Sequence, residues 1–96
     1  MEWNVHILDE HWNPISEDVV LPVSILSKAG KNAVMLQGID PYSITVFNCA
    51  QIEFFLPEWE GLAALVEPED KATWQTVLEY AKRCLEPHLY LEFIGD

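Results

Sequence analysis

His6, Asp9, Glu10 and His11 bring four side chains able to bind a divalent ion or move a proton into one short stretch. Such an ion needs its ligands at one focus. His6 is expected to project from a strand and His11 from a loop, so they share a focus only across a tight turn. No HExxH or paired CxxC accompanies them. The plain alternative is a solvated loop whose charges keep the end of a sheet soluble, and no metal is assigned. Cys49 is the second candidate. At the first turn of a helix, the dipole would lower its thiol pKa and favour the nucleophilic thiolate. It would then need a base, and His88, at the head of the last strand, is the histidine that could approach in space. Cys84 falls on an apolar stripe and reads as packing.

Carboxylates are too numerous for a pair to be informative. Acid–base work needs two of them facing across a cleft, one with a pKa raised by burial, and most acids here fall on expected solvent faces or helix first turns. Phosphate-binding patterns such as GxxxxGK[ST] or GxGxxG are absent. No catalytic residue and no cofactor are assigned, and the chain reads as something other than an enzyme. A small enzyme or metal-binding protein using Cys49 and His88, or His6 and His11, is the lesser alternative.

Sixteen acids face five bases among the 96 residues, a net charge of −11 at pH 7. The imbalance is local. Residues 1–27 carry Glu2, Asp9, Glu10, Glu17 and Asp18 without a Lys or Arg, and residues 32–70 carry Asp40 and the run Glu53, Glu58, Glu60, Glu67, Glu69 and Asp70, again without a base. Such a surface repels nucleic acid and anionic membranes and attracts basic proteins. The acids of 53–70 are either a solvated face or a docking surface that steers a basic partner. Trp12 and Tyr42, in expected loops, are the aromatic residues least committed to the core, and exposed aromatics among acids make hot spots. Asp9 and Glu10 offer a second acidic patch beside Trp12.

The elements that must position these residues follow from periodicity. Trp3 to Leu8 reads as a strand, with Trp3, Val5 and Ile7 on one face and Asn4 and His6 on the other. Residues 16–30 read as a strand followed by a helical turn. Ala33–Gln37 and Ser43–Phe47 are expected to form an antiparallel pair around Gly38–Tyr42. Ile52, Phe55, Leu56, Trp59, Leu62, Ala63 and Val66 recur at helical steps, with Asn48 and Gln51 spaced as a capping box. Pro57 interrupts this helix, so a kink on the solvent side or a split is expected. A second helix starts at Pro68, carries an apolar stripe of Trp74, Val77, Leu78, Ala81, Cys84 and Leu85, and stops at Pro87. A final strand spans Leu89–Phe93 and must return to the N-terminal strands. The class is α+β: residues 1–96 as one domain, a mostly antiparallel sheet of four to five strands with two helices on one face, in the order β-β-β-β-α-α-β. Trp59 and Trp74 are expected to meet at the helix–sheet interface.

In size, charge and helix–strand ending the chain resembles the small bacterial immunity proteins that inhibit nuclease toxins. The resemblance implies a non-catalytic protein that binds a basic partner, with binding that weakens as salt rises. A line of carboxylates along the first helix would suit mimicry of nucleic-acid phosphates or simple steric blocking. The alternative is a structural or homodimerising domain whose edge strand, Ser43–Phe47 or Trp3–Leu8, pairs across a two-fold axis. No signal segment opens the chain, its two cysteines require no disulfide, and a cytoplasmic location is expected.

Overall fold

Trp3, Val5 and Ile7 are buried on one side of a strand whose opposite side carries Asn4, His6 and Leu8. That alternation orders the whole molecule. In the computed structural model, which describes residues 1–96, the elements run β1 (Glu2–Leu8), β2 (Val19–Pro22), α1 (Val23–Leu26), α2 (Val34–Gln37), β3 (Ile44–Phe47), α3 (Cys49–Glu60), α4 (Lys71–Arg83) and β4 (Tyr90–Ile94), with a 3-10 turn at Pro68–Asp70 leading into α4. The class is α+β. Four strands form one antiparallel sheet in the order β2-β1-β4-β3. The last strand does return to the first, and it enters the middle of the sheet rather than an edge. No helix is long and apolar enough to cross a membrane.

One core holds this together. The inward strand residues Trp3, Val5, Ile7, Leu21, Phe47, Leu91 and Phe93 share it with Ile52, Phe55 and Trp59 of α3 and with Trp74, Val77, Leu78 and Ala81 of α4. Helices therefore cover a single face of the sheet, and the other face lies open.

The expected strand at Ala33–Gln37 is corrected: Val34–Gln37 is a turn of helix, and β3 pairs with β4. The reason is tertiary. The Glu58 carboxylate accepts the backbone N–H groups of Met35 and Leu36 at 3.2 and 3.0 Å and so satisfies the start of α2 from α3. No local signal announces a cap supplied from 22 residues away. The element order becomes β-β-α-α-β-α-α-β. Residues 16–30 form the strand and helical turn that their pattern suggests.

The capping box forms as spaced: Asn48 accepts from the Gln51 N–H at 2.9 Å, and the Gln51 side chain accepts from the Asn48 N–H at 2.9 Å. Helix α3 then runs unbroken through Pro57, which lies exposed on its outer side, where the helix tolerates the lost hydrogen bond. Trp59 and Trp74 meet each other in the core between α3 and α4. Each indole N–H donates to the other residue's carbonyl, at 3.1 and 3.0 Å, and this reciprocal clamp leaves both buried nitrogens satisfied. At the chain end, Gly95 donates to the Ser43 carbonyl at 2.9 Å. A side chain there would run into the backbone of Asp40 and Pro41, so the closure of β4 on the start of β3 requires glycine.

Candidate functional site

The open face of the sheet is built by register. Val5 lies opposite Val19 on β2, so Asp18 falls one step on, beside His6; on the other side His6 lies directly opposite Glu92, and Glu92 opposite Val46. Asp18, His6 and Glu92 thus form one row across the sheet. The His6 ring nitrogens reach both acids, Nδ1 to Asp18 at 2.7 Å and Nε2 to Glu92 at 2.6 Å. Only an imidazolium donates through both nitrogens at once.

His6 is 6% exposed, which makes it the one polar residue of the chain that is buried. Burial works against its charge and is the largest single influence. The hydrogen bonds to Asp18 and Glu92 and the two negative charges together outweigh it and hold the pKa above 6.5. A raised pKa means that the folded chain keeps a proton the unfolded chain gives up. The resulting stabilisation is complete below the unfolded value and is lost as pH rises through the folded one. Urea denaturation of the wild type and of His6→Gln should therefore differ more at about pH 5.5 than at about pH 9. An equal difference at both pH values would show that His6 is not held as the cation.

Apolar side chains surround this charged row. Val20 and Ile44 are 50% and 58% exposed, and Val46, Ile94 and Tyr90 are half-buried. Trp12 stacks on Tyr90 with ring centroids 4.9 Å apart and remains 59% exposed. The loop that delivers Trp12 is closed by Asp9, whose carboxylate accepts the backbone N–H groups of Asn13 at 3.0 Å and His11 at 2.8 Å. Those bonds, that from Asn13 first, hold its pKa below the usual carboxylate value. Trp12 itself sits at a positive φ of 64°, a conformation that costs a bulky residue energy. Exposed Asp18 lies on the same face, and exposed Glu10 belongs to the loop that carries Trp12. The five bases all lie elsewhere: Lys28 and Lys31 follow α1, while Lys71, Lys82 and Arg83 belong to α4.

The acids of 53–70 divide into two groups. Glu58 caps α2, Glu67 pairs with Lys28 at 2.9 Å, and Asp70 accepts from the Ser24 hydroxyl at 2.7 Å. Glu53, Glu60 and Glu69 stay exposed on the helical side, away from Trp12. Their stretch also exposes Phe54 at 67% and Leu65 at 54%, so it is less uniformly acidic than its sequence suggests. Tyr42 stands 75% exposed just ahead of β3. The structure therefore brings Trp12, on the loop that carries Asp9 and Glu10, to the open face, and leaves Glu53, Glu60 and Glu69 on the helical side.

The two histidines of the N-terminal cluster separate. His6 turns to Asp18 and Glu92, while exposed His11 comes only within 3.8 Å of Glu10. No three histidine, cysteine or acidic side chains are placed to hold a metal ion. Cys84 is buried, and desolvation pushes its thiol up to about 12 despite the nearby Arg83 charge. Cys49 is half-buried at the start of α3, and exposed His88 sits at a positive φ of 70° before β4. A cavity of about 220 Å³ opens among Trp3, Val23, Leu26, Leu36 and Ile39. It is small for a ligand site, and the Trp3 indole there is spent on the Asp40 carbonyl at 3.0 Å.

Sequence reasoning missed Asp18 and Glu92 as partners of His6. The signal was present in the shared parity of His6 and Glu92 on their strands, but only the register joins them. Comparison with protein-family models, with curated proteins and with solved structures returns no match.

Proposed function

We propose that this chain is a non-catalytic binding protein that docks a basic protein on the open face of its sheet, as an inhibitor of the immunity type would. The observation that carries the reading is the make-up of that face: exposed aromatic and aliphatic side chains around the Asp18–His6–Glu92 row, with acids in excess and no Lys or Arg. Such a face offers a protein partner an aromatic anchor and complementary charge side by side. The net charge of −11 would draw a basic partner in from a distance and raise its association rate.

The row centred on buried His6 suits this role. His6 offsets one of the two carboxylates beside it, so Asp18 and Glu92 can sit close together under the face without repelling each other. Asp18 remains 56% exposed at its side chain and so can meet a cation of the partner. Catalysis gains less support, because both His6 nitrogens are occupied and a proton acceptor needs one free. Trp12, already held in place against Tyr90, would lose little side-chain freedom on binding.

The test begins with capture of a partner from the cell extract on the immobilised chain at low salt, followed by calorimetry of the purified pair. The expected partner is basic, and its affinity should fall at least about tenfold between about 50 and 500 mM salt, as screening removes the steering field. An affinity that does not change over that range would remove the electrostatic half of the proposal.

A further inference from the structure

The two edges of the sheet are finished differently. β2 is guarded: Glu17 and Asp18 precede it, Pro22 ends it without an N–H, and the Tyr80 hydroxyl of α4 donates to the Glu17 carbonyl at 2.8 Å. β3 has no such guard. Because Gly95 donates to Ser43, the alternate residues Ser43, Thr45 and Phe47 turn their backbone groups toward β4. Ile44 and Val46 therefore point theirs outward, away from the sheet. Edge strands are ordinarily blunted by a charge, a proline or a bulge. This chain has sixteen acids to place and puts none between Pro41 and Ile52. Trp3–Leu8, the other strand considered for pairing, lies inside the sheet and offers no edge.

We propose that the β3 edge pairs with the same edge of a second copy about a two-fold axis, joining the two sheets into one. Thr45 would lie at the axis, with Ile44 of each copy opposite Val46 of the other, closing about four ladder hydrogen bonds. Several features select a second copy over a basic partner. The edge carries no carboxylate to attract a cation. Antiparallel self-pairing sets β-branched residues against each other, a favourable cross-strand match. It is also the stretch of this acidic chain where two copies can approach without placing one carboxylate against another. Tyr42 and Ile44, both well exposed, add apolar area beside the ladder.

Elsewhere the two copies repel, so self-association should strengthen with salt, the opposite sign to partner docking. Sedimentation equilibrium from about 1 µM to about 1 mM, in about 50 and 500 mM salt, tests this. The wild type is expected to dimerise, at least about tenfold more tightly at the higher salt. Val46→Pro removes an outward N–H while leaving the bonds to β4 in place, and should give a monomer whose circular dichroism matches the wild type. Should that variant fail to fold, Ile44→Lys places like charges across the axis and should weaken the dimer at least about tenfold. A wild type that stays monomeric throughout, or a dimer indifferent to both substitutions, overturns the proposal. Neither result bears on the docking face, which is read from partner affinity.

Discussion

Trp59→Ala should cost about 3–5 kcal/mol of stability, the loss that follows when a fully buried aromatic is cut to a methyl group. Trp59 is fully buried, stacks on Phe55 at 5.4 Å and reaches the Trp74 carbonyl through its indole. Two losses combine in the substitution. One is the cavity, and the other is the buried hydrogen bond from the Trp59 indole to the Trp74 carbonyl. Trp59→Phe separates them: it keeps most of the volume, removes the donor and should cost about 1–3 kcal/mol. A domain of this size has about 5–15 kcal/mol in total, so the alanine variant should be largely unfolded in moderate urea. Urea titration of both variants by tryptophan fluorescence and far-UV circular dichroism measures the difference. Equal losses in the two would mean that the hydrogen bond, and not the packing, dominates the clamp.

Trp12→Ala should have the reverse profile, with little effect on folding and a large one on binding. Its ring rests on Tyr90 at the surface, so few core contacts depend on it. As the most exposed aromatic of the docking face it should contribute at least about 2 kcal/mol to a complex, or about thirtyfold in affinity. Asp18→Asn should act more mildly on affinity and more on association rate, because Asp18 is a solvent-exposed charge. It also removes one of the two charges that hold the His6 cation.

Much of this arrangement was legible before any coordinates. The alternation of Trp3, Val5 and Ile7, the stripe that runs through Pro57, the Asn48–Gln51 box and the return of the last strand all depend on residues close in sequence. The failures share a cause, which is that distant residues decide them. Val34–Gln37 becomes helical because Glu58 caps it from α3. Trp59 and Trp74 meet in the core as their stripes suggest, but the reciprocal bonds between indole and backbone have no local signal. The candidate site fared the same way. Exposure of Glu53 and Glu60 follows from helical phase, but nothing local reveals that Glu58, Glu67 and Asp70 are engaged by Met35, Leu36, Lys28 and Ser24. His6 was noticed for the wrong neighbours. Its chemistry is set by register, which brings residues 18 and 92 to either side of it.

The central claim is that the open sheet face, and not the helical acids, meets a basic partner. Titration calorimetry of the captured partner against two variants tests it most directly. One is Trp12→Ala, and the other is Glu53→Gln combined with Glu60→Gln on the helical side. The account predicts a loss of about thirtyfold for the first and less than about threefold for the second, at matched salt. A large loss from the helical pair with Trp12→Ala unchanged would contradict it and move the interface to α3.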